Sequence, residues 1–388
     1  MNAVVEHTIK NPKVNTGSEP LRVLIMAGGT GGHVFPALAV AKELIAQGAF
    51  VSWLGTRRGI ESRLVPEAGI DIDYITIEGV RGKGMSSLLK APFLIAKAVR
   101  QSMSVLRQRR AQVVLGLGGF ASGPGGVAAR LMNIPVVIHE QNAAAGTTNK
   151  LLARIAQRVL VAFPKAFSQG KWVGNPVRPE ISALPSPKVR LAQLTTEENA
   201  PLKILVLGGS LGATAINQLL PEALALLKTR VQASMPVLVR HQVGEKHVSA
   251  TCEYYQQQDI DVDGKTIDVM PFIADMAEAY GWADFIICRA GALTVAEITA
   301  AGCAALMVPF PHAIDDHQTK NAQWLVDNKA GMLIPQSQLN AERLCEEIEH
   351  KWCHRSELLA MAVNAKALAM PGAATEVVNV CREVCRRG

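Results

Sequence analysis

LRVLIMAGGTGGH, residues 21–33, and PLKILVLGGSLGAT, residues 201–214, decide the fold between them. In each a basic residue, Arg22 or Lys203, is followed by four or five apolar ones. Each then reaches a Gly-Gly pair, a Thr or Ser and a further glycine, and continues into a helical pattern. A short, continuous apolar run ending in glycines is the signature of a strand buried on both faces of a parallel sheet. In the first copy PALAVAKELIAQG follows, with Pro36 in its first turn and Gly48 as a stop. Outward from there, FVSWLGT, IDYITIEGV, QVVLGLGG, PVVIHEQN and RVLVAFP are apolar runs separated by connections long enough for helices. After residue 201 the alternation repeats with PVLVRHQVG, IDVMPFI, DFIICRAG, AALMVPF and GMLIP. This predicts an α/β chain of two similar doubly wound domains. The expected division is a disordered leader over 1–20, a first domain over 21–180, a linker over 181–200, a second domain over 201–370 and a C-terminal helix over 371–388. A ligand site at the carboxyl ends of the strands, between the two domains, is the default expectation.

The bulk properties agree. A chain of 388 residues exceeds one ordinary core and suits two domains. With 49% hydrophobic and 19% charged residues, disorder is excluded as the main state. No run approaches the ~18 apolar residues of a membrane span, and the first 20 residues lack the layout of a secretory signal. Seven cysteines, none before Cys252 and none in a CxxC pair, argue against a disulfide framework or a zinc site and for a reducing compartment.

Charge separates the halves. Residues 1–180 carry 22 Lys/Arg against 10 Asp/Glu, a net of +12, while residues 181–388 carry 18 against 23, a net of −5. From Gly79 to His139 there are nine basic residues and no acidic one. Such a field attracts phosphates, nucleic acid or anionic lipid. Only Phe93 and Phe120 are available for stacking there, which speaks against a nucleic-acid platform.

The loop Gly28-Gly29-Thr30-Gly31-Gly32-His33 joins a strand to a helix, so its backbone amides can approach an anion or polar group. It lacks the dinucleotide fingerprint, because Val34 stands where the third glycine should. Nor is there a P-loop: Gly264-Lys265-Thr266 has Asp259 at the first glycine position. His33, at the helix start, is expected to stay neutral beside the helix dipole and to be available as a base. His139 and Glu140 are its rivals. Their segment, His139-Glu140-Gln141-Asn142, crowds four polar side chains at one strand end, which is costly unless they are solvated or used. In the second half, amides near Ala292 to Thr294 suit a diphosphate, and Glu297 suits sugar hydroxyls. Arg178 can reach a phosphate, and the loop from Pro309 to Gln318 reads as a ligand loop. The pairs Asp71/Asp73 and Asp261/Asp263 read as loop acids, so no metal site is expected.

Taken in order, GGTGGHVFPALAVA, GLGGFASGPGG, IPVVIHEQNAAAGTTNK, VGNPVR, ADFIICRAGALTVAE and VPFPHAIDDHQTKNA resemble the MurG glycosyltransferases from about Arg22 to the C-terminal region. The resemblance implies a GT-B fold, two Rossmann-like domains facing an interdomain cleft, with the nucleotide sugar held mainly by the second. It implies inverting transfer of N-acetylglucosamine from UDP-N-acetylglucosamine to the 4-hydroxyl of the muramyl-pentapeptide of lipid I, forming lipid II. It further implies work at the cytoplasmic face of the bacterial inner membrane, an anionic surface as partner, no nucleic acid and no obligatory cofactor. By position, Thr30, Gly31 and Gly32 would contact the donor or the acceptor diphosphate, with Asn142 and Arg178 completing the donor site from the first domain. Ser210 would hold the diphosphate, Ile273 would meet the uracil, Ala292, Leu293, Thr294, Val295, Ala296 and Glu297 would line diphosphate and ribose, and Gln318 would bind the sugar. Leu211 stands where several relatives carry glutamine. A UDP-N-acetylglucosamine 2-epimerase of the same architecture fits the ordered motifs less well.

One segment speaks to the membrane. As a helix, 88–110 places Lys90, Lys97, Arg100 and Arg107 on one arc together with Leu89 and Phe93. The other side, Ala91, Leu94, Ile95, Ala98, Val99, Val105 and Leu106, is expected to face the domain core. A basic arc bearing Leu89 and Phe93 suits anionic headgroups with shallow insertion.

Overall fold

A computed structural model describes residues 20–77, 85–192, 200–208, 213–231 and 237–386. The leader, Ser210 and Leu211 lie outside the described residues, as do the side chains of Leu89 and Lys90. The chain divides into two compact units: Met1–Val177 with Gly372–Gly388, and Arg178–Pro371.

The first unit is built on seven parallel strands in the order β3-β2-β1-β4-β5-β6-β7. They are β1 (Arg22–Ala27), β2 (Phe50–Gly55), β3 (Asp71–Tyr74), β4 (Val113–Gly118), β5 (Val136–Glu140), β6 (Arg158–Val161) and β7 (Lys171–Trp172). The unbroken apolar run of β1 follows from its central place. Val23, Ile25 and Ala27 join the core on one face, with Val34, Val40 and Leu44 of the helix Gly31–Ala46. Leu24 and Met26 join the core on the other face, with Ala98, Leu106 and Ala128. Alternate side chains thus serve two layers, and no position is left for a polar residue.

The second unit repeats the plan with six parallel strands, β10-β9-β8-β11-β12-β13. These are β8 (Leu202–Leu207), β9 (Val237–Gln242), β10 (Ile267–Met270), β11 (Phe285–Cys288), β12 (Ala304–Met307) and β13 (Met332–Leu333). In each unit the order reverses beside the first strand, between β1 and β4 and between β8 and β11. In α/β sheets such a switch point, at the carboxyl ends of the strands, is where ligands bind.

Three expectations are corrected. Residues 178–192, read as the end of the first domain and part of a linker, belong to the second unit and form the short helices Pro179–Ser182 and Pro187–Arg190. Proline at the first helical position starts each of them. The C-terminal helix Ala373–Arg386 packs on the first unit, burying Val377, Val378, Cys381 and Val384. Their spacing makes one apolar stripe, and Arg382 and Glu383 pin the helix to the Gln47 carbonyl oxygen and to Arg158.

The helix Met85–Arg109 departs from the two-sided expectation. Ala98, Ser102 and Leu106 are buried at four-residue spacing, but Leu94 and Ile95 are exposed along with Phe93. From Pro92 to Lys97 every residue is exposed, and the first fully buried side chain is that of Ala98, so this stretch of the helix gains little cover from the unit. Finally, Asp71 and Asp73 lie on β3 rather than in a loop. Two residues apart on a strand, they share a face and both reach Arg109, at 2.7 Å each. Asp263 closes a turn by accepting from the amides of Lys265, Thr266 and Ile267, which holds its carboxyl down at about 2. No cluster of three or more metal-ligating side chains occurs among the described residues.

Candidate active site

In the first unit the glycine loop leaves β1 at the switch point and runs into the helix Gly31–Ala46, with Thr30 as its N-cap residue. Thr30 is exposed, and Gly31, Gly32 and His33 are half-buried. The floor of the loop is Glu61, a residue the sequence did not single out. Its carboxylate is fully buried at the start of the helix Glu61–Glu67. One oxygen accepts from the Gly29 amide at 3.0 Å, and the other from the Thr56 amide at 3.0 Å and the Thr56 hydroxyl at 2.8 Å. A Cβ at Gly28 would collide with this carboxylate, so the glycine there is required by close approach.

His33 leans across to the strand ends. Its Nδ1 is 2.9 Å from Gln141 Oε1, and its ring lies against Gly118, whose φ of +104° only glycine adopts readily. A Cβ there would come 2.9 Å from His33 Cε1. The polar cluster ending β5 is fully used. Glu140 accepts from the Asn142 and Gly146 amides at 3.0 Å each and from Asn149 Nδ2 at 2.8 Å. His139 is completely buried, with Nε2 2.9 Å from the Gly174 carbonyl oxygen and Nδ1 3.0 Å from Gln141 Nε2. Burial pushes its pKa below the ordinary imidazole value. Neither rival offers a reacting atom to solvent, so His33 is the base candidate the geometry favours. Asn142 is half-buried, and its side-chain amide donates to Glu140 Oε1 at 3.3 Å.

In the second unit the helix Ala292–Ala301 follows β11, across the switch point from β8. Its N-terminus carries Ala292, Leu293, Thr294, Val295 and Ala296, with Leu293, Thr294 and Ala296 half-buried and Ala292 and Val295 buried. Gly302, left-handed at φ +68°, ends it. Arg190 donates to the Ala301 carbonyl at 3.0 Å and Lys366 to that of Ala300, two cations at the negative end of the helix. Glu297 is 4% exposed, so its environment decides its state. One oxygen is 2.7 Å from Arg178 Nη2 and the other accepts from the Tyr280 hydroxyl at 3.1 Å. Burial raises its pKa above the ordinary carboxylate value, and the Arg178 charge opposes that shift. Arg178, expected from the first domain, therefore stands in the second unit as the partner of Glu297. Tyr280 went unnoticed because nothing local marks it: it is 17 residues from Glu297 and meets it only through the fold. Ile273 is buried in the loop after β10. Gln318 Oε1 accepts from the Phe310 amide at 2.9 Å, tying the loop after β12 to the helix His317–Asp327.

The chain matches the glycosyltransferase family 28 N-terminal domain over residues 23–161 and the glycosyltransferase family 28 C-terminal domain over residues 203–377. A crystal structure of Acinetobacter baumannii MurG is 45% identical and covers 94% of this chain and 100% of its own, with a TM-score of 0.80. The chain belongs to the MurG family of glycosyltransferases. Its two parallel-sheet, Rossmann-like domains are those of the GT-B fold. A relative from Cellvibrio japonicus is 56% identical over 369 residues, 94% of this chain and 98% of its own. Another, from Pseudomonas aeruginosa strain LESB58, is 50% identical over 372 residues, 94% and 99%. Both are named UDP-N-acetylglucosamine–N-acetylmuramyl-(pentapeptide) pyrophosphoryl-undecaprenol N-acetylglucosamine transferase. Family membership makes the protein a glycosyltransferase.

Proposed function

We propose that the protein moves N-acetylglucosamine from UDP-N-acetylglucosamine to the 4-hydroxyl of N-acetylmuramic acid in undecaprenyl-diphosphate-linked muramyl-pentapeptide, lipid I, giving lipid II with inversion. The observation that carries this is the 56% identity, over nearly the full length, to a relative whose name states that donor and that acceptor. His33 takes the acceptor proton as the hydroxyl oxygen attacks the anomeric carbon, and the bond to UDP breaks with its electron pair on the diphosphate. Thr30, Gly31 and Gly32 present amides to donor or acceptor phosphate, with Asn142 beside them. Ala292 to Ala296 present the helix N-terminus to the donor diphosphate, joined by Ser210. Glu297 takes the ribose hydroxyls, Ile273 packs on the uracil and Gln318 meets the sugar. No obligatory cofactor is needed, because amides and guanidinium supply the charge stabilisation.

The acceptor's polyprenyl tail requires a bilayer surface. Phe93, Leu94 and Ile95 are exposed in succession, 80%, 43% and 45%, beside Lys97 and Arg100. The adjoining helix Ser122–Leu131 adds exposed Val127 and Leu131. Apolar tips among cations fit shallow insertion between anionic headgroups. No helix among the described residues is long and apolar enough to cross a membrane, and attachment at the inner membrane's cytoplasmic face is the reading this supports. Lipid II is the unit from which peptidoglycan is built, so the activity serves wall growth, cell shape and division.

The test is a product assay with radiolabelled UDP-N-acetylglucosamine and a short-chain lipid I analogue. A labelled disaccharide lipid is expected. Free N-acetylmannosamine in its place would turn the reading to an epimerase of the same architecture.

A further inference from the structure

The polar cluster at the end of β5 determines where a proton sits on His33. The buried end of the chain of contacts is the Gly174 carbonyl oxygen, which can only accept. His139 Nε2 lies 2.9 Å from it and therefore carries a hydrogen. His139 is completely buried, and burial lowers its pKa against the opposing charge of Glu140, which favours the neutral ring with a bare, accepting Nδ1. Gln141 Nε2 is 3.0 Å from that Nδ1 and 3.0 Å from the His139 carbonyl oxygen. Both are acceptors, so the amide can face them only with its NH2 group. The other end, Oε1, then points at His33 Nδ1 across 2.9 Å. An amide oxygen accepts and cannot donate. His33 Nδ1 must bear the hydrogen.

We propose that Gln141 and His139 are positioning residues that lock the neutral His33 in its Nδ1–H tautomer, so that Nε2 is the basic atom offered to the acceptor hydroxyl. Nε2 has no protein partner among the described residues, and the half-buried ring leaves it accessible to a ligand. Turning the ring over would replace the Gln141 contact by a carbon, and Gly118 leaves the imidazole room in the orientation it has. The arrangement does with a neutral amide what a carboxylate does beside other catalytic histidines. It fixes tautomer and direction without adding a charge next to the base. It also accounts for the four polar side chains at one strand end: His139 and Gln141 set His33, while Glu140 gathers the Asn142 and Gly146 amides of the following loop.

What His33 does with its lone pair rests on the transferase reading, whereas the tautomer itself does not, and one experiment separates them. The full chain, labelled with 15N at its nine histidines, is examined by long-range 1H–15N correlation at a pH where the imidazoles are neutral. The His33 signals are assigned from their loss in His33→Gln. Wild type is expected to show a protonated Nδ1 and a bare Nε2 at His33. Gln141→Met should shift that ring towards the Nε2–H form and lower turnover roughly 10- to 100-fold, with the Michaelis constant for UDP-N-acetylglucosamine within about twofold. Gln141→Glu, whose carboxylate also accepts from Nδ1–H, should keep the wild-type tautomer. A wild-type His33 protonated on Nε2 overturns the proposal even if the variants fail to fold, and so does an unchanged tautomer in Gln141→Met. If wild type shows the expected tautomer but transfers no sugar to the lipid I analogue, the transferase reading falls and the lock stands.

Discussion

Replacing Glu61 by alanine removes the support of the first glycine loop without touching any group assigned to substrate. Three donors lose their acceptor: the Gly29 amide, the Thr56 amide and the Thr56 hydroxyl. A hydrogen bond to a charged group contributes about 1.5–3 kcal/mol. The three share one carboxylate, and Gly29 is exposed enough for water to reach it, so the net loss is about 3 kcal/mol rather than the threefold sum. For a unit of fewer than 200 residues, that lowers its melting temperature by about 6–12 °C. Glu61→Gln keeps the volume but turns an NH2 group towards one of the donors, and should cost about half as much. Differential scanning calorimetry gives the melting temperature, and hydrogen exchange at Gly29 and Thr56 places the effect in the loop. Turnover should fall with the loosened loop while binding of UDP to the second unit is unchanged. A Glu61→Ala protein that melts within about 1–2 °C of wild type, with the Gly29 amide still protected, would refute the idea that this carboxylate holds the loop.

Glu297→Gln removes the charge that Arg178 and a ribose would share, and should weaken UDP-N-acetylglucosamine by about ten- to a hundredfold in calorimetric titration. Because burial raises the Glu297 pKa, its ionised form is disfavoured by folding. The same variant should therefore lose little stability, and wild-type donor affinity should begin to fall above the ordinary carboxylate value of 4.5 as pH is lowered. Phe93→Ser with Lys97→Glu should weaken salt-sensitive sedimentation with phosphatidylglycerol vesicles and leave donor affinity intact. Unchanged sedimentation would move the membrane face elsewhere. Arg190→Ala uncaps the carbonyl end of the helix Ala292–Ala301 and should destabilise the second unit by about 1–3 kcal/mol, read as a lower melting temperature for that unit.

What the sequence makes legible is whatever local pattern carries. The apolar runs of β1 and β8 announce central parallel strands because both faces of each are covered. The glycine loop and the block from Ala292 to Glu297 announce themselves because strand, turn and helix start fall within a dozen residues. Glu61 and Tyr280 are not legible, since each acts on a residue far along the chain, Gly29 or Glu297, and alone reads as a helix-start acid or an ordinary core tyrosine. Arg178 could be assigned to a phosphate but not to the second unit, because a chain crossing between Val177 and Arg178 leaves no mark in composition. Leu94 and Ile95 misled the helical wheel for a physical reason. Amphipathic spacing tells which side of a helix is apolar, and says nothing about whether the domain extends far enough to cover it.

The account turns on His33 as the base on the first unit, with donor recognition on the second. Steady-state kinetics of His33→Ala with UDP-N-acetylglucosamine and the lipid I analogue tests that division most directly. Turnover should fall by about 100-fold or more, with the Michaelis constant for UDP-N-acetylglucosamine within about twofold of wild type. Turnover close to wild type would contradict the account and remove His33 from the chemistry.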